Sequence, residues 1–290
     1  NLDKEFSDLI LQDNVIFLEE DVSCEETFKN LKIDYYDVVY HFAALNGTAN
    51  FYKYPAKVLK IGCLSTIFLL DWISLHKKVP KIIYTSSSET YAGTVKVMGD
   101  KFPIPTPEDI PLAIDDVKNV RWSYGASKLL GEVAFFSYSK MYNFDNFNIV
   151  RLHNIYGPRM GNEHVISQFI IRFLNNEFPF KILGSDQTRS FCFIDDVLDA
   201  LEKTVNSDMK KEIIHIGNDK EEIKIIDLAK IIFDIEQKEY NFDLHDAPAG
   251  SVSRRCPQIE KLKLLGMKEQ TPLREGIKET LHWYKENHLR

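Results

Sequence analysis

Residues 81–93 read KIIYTSSSETYAG, an apolar, β-branched opening followed by a threonine, three serines and a glutamate. Such a run reads as a buried strand that turns polar at its carboxyl end, the end that faces the ligand crevice in an open α/β sheet. Four more stretches share the strand character: NVIFLEE (14–20), DVVYHFA (37–43), FNIVRL (147–152) and IIHIG (213–217). Helical patterns separate them. Residues 55–78 open with a proline suited to a first turn, and 123–143 carry apolar residues at helical spacing. Strands alternating with longer helices predict an α/β chain with a doubly wound, Rossmann-like parallel sheet.

Beyond residue 152 the pattern loosens. Helices are expected over 164–176, 195–205, 225–235 and 271–287, giving a smaller C-terminal unit. The expected division is a dinucleotide-binding domain over 1–152, with 190–218 contributing, and a substrate domain over 153–290. The two long apolar helices, 55–78 and 122–142, can pack on the sheet by one face and on a second copy of the chain by the other, or simply be buried.

Composition bounds the function. The chain has 290 residues, 44% hydrophobic and 27% charged, enough to bury a substantial core. Its net charge of −7 argues against a nucleic-acid surface, which needs clustered Lys and Arg. Cys24, Cys63, Cys192 and Cys256 lie far apart, so neither a zinc site nor a disulfide framework is expected, and a reducing cytoplasm fits. No apolar run reaches the roughly 20 residues of a membrane span.

A dinucleotide fold opens with a strand, a glycine-rich turn and a helix whose amides hold a pyrophosphate. No GxGxxG or GxxGxxG occurs in this sequence. NVIFLEE followed by Asp21 has the character of a third strand of such a fold, so the expectation is that a first βαβ unit of roughly 35 to 40 residues is missing.

The chemistry is expected near residues 121–132, RWSYGASKLLGE, where Tyr124 and Lys128 stand four apart on one helical face. A neighbouring ammonium favours phenolate, which would make Tyr124 a base for a sugar or alcohol hydroxyl. Alone, YxxxK arises by chance on many helices. Together with the polar end of strand 81–87, whose hydroxyls can hold a substrate oxygen, it reads as a reaction centre.

In the order DVVYHFAAL, YTSSSETYAG, YGASK, RLHNIYGPRMG, QTRSFCFIDD and IHIG, the chain resembles the extended short-chain dehydrogenase/reductase family of nucleotide-sugar epimerases, dehydratases and decarboxylases. The likeness runs from about Asn14 onward. Two departures stand out: the glycine-rich start, and Gly62, where many members carry an asparagine. The resemblance implies NAD as cofactor, with Tyr124 starting oxidation at sugar C4. Lys128 would lower the phenol's pKa and grip the nicotinamide ribose. Asp21 and Val22 would meet the adenine, while Phe42, Ala43, Ala44 and Thr85 would line the cofactor; Ser87 and Ser88 would contact the sugar.

Glu89 stands where decarboxylases and 4,6-dehydratases of this family carry a glutamate, which implies proton transfer at a carbon beside C4. The back half is most similar to GDP-mannose 3,5-epimerases, and FYKYPAKVLK, NVRWSY and GPRMGNEHVISQF are also close to UDP-glucuronate decarboxylases. In the 3,5-epimerase pattern Glu89 and His164 would fill the two acid/base places, which that family fills with cysteine and lysine. Arg189 and Arg255 would grip the diphosphate with Asn154 donating to it, and Arg159 and Arg121 are further candidates.

The resulting expectation is an NAD-dependent nucleotide-sugar epimerase or dehydratase, with a UDP-glucuronate-type decarboxylase as the alternative reaction. From another class, a catalytically inactive sugar-nucleotide binding protein would explain the absent glycine loop, although Tyr124 and Lys128 weigh against it. Neither a metal nor a nucleic-acid or membrane partner is expected.

Overall fold

The structure, a computed structural model, describes residues 4–31, 35–247, 252–267 and 269–287.

Among the described residues, four parallel strands form the main sheet: Val38–His41, Lys81–Ser87, Phe147–Leu152 and Glu212–Ile216, adjacent in chain order. Their alternation sends successive side chains to opposite faces. Ile82, Tyr84 and Ile149 pack with Leu69, Leu70, Ile73 and Phe135 on one face. Ile83, Val150 and Ile214 pack with Val197, Ala200 and Leu201 on the other. The first face is covered by helices Pro55–Ser74 and Trp122–Tyr142, the second by Ile194–Asn206. A parallel sheet covered on both faces is the Rossmann-like α/β arrangement.

One expected strand does not form. Residues 15–20 of NVIFLEE carry no strand pairing, and Ile16, Phe17 and Leu18 are exposed. The run has strand composition, yet a strand exists only where a neighbour takes its backbone hydrogen bonds, and the described residues offer none. The helix expected over 55–78 ends at Ser74, with His76 turned back to the Trp72 carbonyl at 2.8 Å.

A separate hydrophobic cluster lies in the C-terminal half. Helices Val165–Leu174, Ile225–Ile235 and Leu273–Asn287 gather around Phe169, Phe173, Phe180, Phe233 and Ile277. Beside it, strand Thr188–Ser190 pairs with Arg254–Arg255 on one side and Glu222–Lys224 on the other. That small sheet sets Arg255 directly opposite Arg189. Among the described residues no helix is long and apolar enough to cross a membrane.

Candidate active site

Helix Trp122–Tyr142 is seated on strand Lys81–Ser87 by residues that permit very close contact. A Cβ on Gly131 would lie 2.0 Å from the Tyr84 hydroxyl, and one on Gly125 2.8 Å from the Glu89 carbonyl. On the far side, a Cβ on Gly62 would come within 2.5 Å of the Ser127 hydroxyl, so glycine at 62 lets helix Pro55–Ser74 press against the turn between Tyr124 and Lys128. An ion pair locks the helix in place. Arg151 donates from Nε and an Nη to the Glu132 carboxylate at 2.9 and 2.8 Å, and the Ser86 hydroxyl donates to Glu132 at 2.5 Å. Both charged partners are buried.

This seating brings Tyr124, Lys128, Thr85, Ser87 and Glu89 together at the strand's carboxyl end. Lys128 Nζ donates to the Thr85 carbonyl at 2.7 Å, and the Ser87 hydroxyl bonds to the Tyr124 phenol. Thr85 in turn donates to the His41 carbonyl at 2.9 Å, tying the neighbouring strand to the site. Ser88 is buried in the short turn that follows, where Ser87 caps the Glu89 amide. At the end of the first strand, Ala44 and Leu45 pack against Tyr124 with Phe51 and Val58. Phe42, two residues earlier, is exposed.

The electrostatics correct one expectation. Lys128 does not lower the Tyr124 pKa here: burial, reinforced by the negative Glu89, pushes the phenol up to about 12 against the opposing Ser87 bond. Burial also brings Lys128 down to about 8. The ammonium faces the Thr85 carbonyl and lies 5.8 Å from the Tyr124 ring centre. Desolvation therefore outweighs charge assistance in this arrangement.

Glu89 is more tightly engaged than the sequence reading supposed. Arg255 donates to its carboxylate at 2.6 Å and Arg121 approaches at 3.6 Å. Burial alone would raise the Glu89 pKa, but Arg255 and Arg121 outweigh it and hold the carboxyl below its usual range. Arg189 is bound by the Thr188, Ser253 and Val252 carbonyls and by Gln187. Burial, with Arg255 beside it, pulls Arg189 down to about 9. Three of the proposed diphosphate contacts, Arg121, Arg189 and Arg255, thus act on one another around a single carboxylate of the strand end.

The remaining candidates make local contacts of their own. Arg159 pairs with Glu5 and lines a cleft of about 410 Å³ with Phe6, Leu9 and Gln12. Asn154, in a left-handed backbone conformation, donates its amide to the Ser190 carbonyl at 2.8 Å and so braces the small sheet. His164 starts helix Val165–Leu174, its carbonyl taking the Ser167 hydroxyl at 2.9 Å, and burial lowers its pKa. Asp21 is held in a turn by the Ser23 amide and hydroxyl, and Val22 packs against the first-face cluster.

Two features were missed in the sequence. The Phe51 ring stacks on Tyr124, 4.9 Å between centroids and 12° between planes. The Glu132–Arg151 pair links a helix to a strand 19 residues on; the four-residue spacing from Lys128 to Glu132 could have placed the glutamate on the same face, but nothing named its partner.

Whether these residues suit a dinucleotide can be judged from their donors. Lys128 is buried and uses one hydrogen bond, leaving two N–H donors beside the phenol and the hydroxyl of Ser87. That donor set fits a ribose diol next to a reacting sugar hydroxyl.

Comparison with known proteins agrees in kind. The profile of the NAD-dependent epimerase/dehydratase family matches residues 7–217. A putative UDP-glucose 4-epimerase of Methanocaldococcus jannaschii is 31% identical over 93% of this chain and 84% of its own length. UDP-glucuronic acid decarboxylase 5 of Arabidopsis thaliana is 31% identical over 83% of this chain and 68% of its own. The crystal structure of a Bacillus cereus UDP-glucuronic acid 4-epimerase, in complex with UDP-glucuronic acid and NAD, superposes with a TM-score of 0.81 at 25% identity, covering 97% of this chain and 85% of that one.

Proposed function

The chain belongs to the NAD-dependent epimerase/dehydratase family, and from that premise we propose that it oxidises a nucleotide-diphospho-sugar at C4 and then rearranges a neighbouring carbon. The observation that carries this reading is the convergence of Tyr124, Lys128 and Ser87 at one strand end.

Lys128 and Thr85, with Phe42, Ala43 and Ala44, would line the cofactor, and Asp21 with Val22 would meet its adenine. NAD, when bound, supplies the hydride acceptor and a positive charge that favours phenolate. Ser87 orients the sugar hydroxyl while Tyr124 removes its proton. Ser88 contacts the ring. The C4 ketone acidifies the adjacent C–H bonds, and Glu89 serves as the group that takes or returns a proton there, with His164 as its partner from the other face. Arg255, Arg189 and Arg121 anchor the diphosphate, aided by Asn154 and Arg159.

The decarboxylase alternative shares the first step and differs only in what the ketone activates. An inactive binding protein would retain the arginines and show no turnover. The division into a cofactor unit ending near 152 and a substrate unit beyond it is supported by the separate C-terminal cluster. A homodimer through helices Pro55–Ser74 and Trp122–Tyr142 is supported by Leu59, Leu130, Val133 and Phe136, which stay exposed on them. Four unpaired thiols suit a reducing cytoplasm.

The test is incubation with a panel of UDP-, GDP-, dTDP- and CDP-sugars in deuterated water, with products read by NMR. Deuterium at C3 or C5 supports the Glu89 step. Inversion at C4 without exchange reduces Glu89 to a scaffold, and no conversion of any member of the panel rejects the enzymatic reading.

A further inference from the structure

The arginines cluster closely. Arg121 and Arg255 share the Glu89 carboxylate with Arg189 beside them, and Glu222 is already taken by both ends of the Arg254 fork at 2.7 Å. Arg255 is buried, bound to Glu89 through one Nη, and its Nε has no partner among the described residues. A desolvated guanidinium with an unmet donor is costly, and it is relieved by an anion that accepts from both edges of the fork. Glu89 meets only one of these demands. It also bridges the two halves of the chain, since Arg255 comes from the small sheet and Glu89 from the end of the main-sheet strand.

We propose that Glu89 is a displaceable counterion: it neutralises Arg255 and Arg121 in the resting site, and the diphosphate of an arriving nucleotide takes both arginines over and frees the carboxylate. This rests on the nucleotide-sugar reading above and adds a gate to it. While it is paired, Glu89 is a poor proton acceptor, because two positive charges stabilise its ionised form. Once the arginines turn to phosphate, its basicity returns, and it does so only when a diphosphate is present. A free sugar would leave the base switched off.

Isothermal titration with UDP, GDP and dTDP, on the wild-type protein and on Glu89→Gln, tests this. The amide removes the competing charge with almost no change in shape, so the preferred nucleotide should bind roughly tenfold tighter to the variant. Glu89→Asp keeps the charge and should stay within about threefold of wild type. Equal or weaker binding to Glu89→Gln overturns the counterion role while leaving the nucleotide-sugar reading intact. Failure of all three nucleotides on every protein overturns both. Should Glu89→Gln not fold, a crystal structure of the wild type with its nucleotide decides: Arg255 on phosphate and clear of Glu89 supports the exchange, and an Arg255–Glu89 contact still near 2.6 Å refutes it.

Discussion

The ring of Phe51 lies flat on the ring of Tyr124, with centroids 4.9 Å apart. Phe51 belongs to the short helix Thr48–Lys53 that follows the first strand, so a residue outside the YxxxK motif controls how much water reaches the phenol. Burial is the leading cause of the raised Tyr124 pKa. Phe51→Ala should let water in and lower that pKa by about one unit. If phenolate is the working form, the rising limb of log kcat/KM against pH moves to lower pH by the same amount. Phe51→Leu keeps an apolar cover and should shift it less. An unmoved limb in both variants would remove Phe51 from the account.

Tyr124→Phe tests the base directly. Loss of a positioned general base costs about 10²- to 10⁴-fold in turnover. Because the arginine cluster is untouched, nucleoside-diphosphate affinity measured by titration should change by less than about threefold. Turnover equal to wild type would show that another group removes the proton.

Much of this site was legible because it is local. KIIYTSS and FNIVRL coincide with strands Lys81–Ser87 and Phe147–Leu152, and the spacing of Tyr124 and Lys128 already implied one helical face. NVIFLEE misled because side-chain composition reports strand preference and not whether a neighbouring backbone is there to pair. The Glu89–Arg255 pair spans 166 residues, and sequence could nominate both residues without showing that they hold each other. The Tyr124 pKa failed for a related reason: proximity to Lys128 is visible in the spacing, but the desolvation that outweighs it depends on Phe51, Val58 and Ala44 packing around the ring.

The Glu132–Arg151 pair should be the costliest polar contact to break near the site. Its bidentate geometry and burial mean that Glu132→Ala strands a guanidinium inside the protein. The expected loss is about 3–5 kcal/mol, read as a lower midpoint in urea unfolding. Replacing both partners together, with Glu132→Leu and Arg151→Met, should recover a good part of it. A single variant with an unchanged midpoint would contradict this.

Gly131→Ala probes the seating of the catalytic helix. The new methyl would meet the Tyr84 hydroxyl at 2.0 Å and the ring carbon bearing it at 2.4 Å, both fixed in the sheet core. Overpacking of this kind costs about 1–3 kcal/mol. Adding Tyr84→Phe removes the closer clash and should return part of the loss, because the two sites share one contact. Strict additivity of the two changes would mean that the helix is seated some other way.

Three deeply buried histidines contribute to how the fold responds to acid. His41 and His215 are buried and held neutral, each brought down to about 3 by burial first and then by a positive neighbour, Lys128 for His41 and Arg151 for His215. His153 is also lowered well below its ordinary value by burial and by His215, whose ring centre is 4.5 Å away. In the unfolded chain all three titrate near 6.5. Above that pH both states are neutral at these positions and the histidines contribute no pH dependence. Below it the unfolded chain binds protons that the native state refuses, so stability falls as pH drops from about 6.5 toward 3, by up to about 1.4 kcal/mol per pH unit for each histidine. The histidine contribution to the urea midpoint should therefore be absent from pH 8 to 7, where only groups such as Lys128 still titrate, and should lower the midpoint steadily below 6.5. His215→Leu should make that decline shallower even if it lowers the plateau, since the plateau reports packing and the slope counts refused protons. A slope identical to wild type would show that His215 is protonated inside the fold.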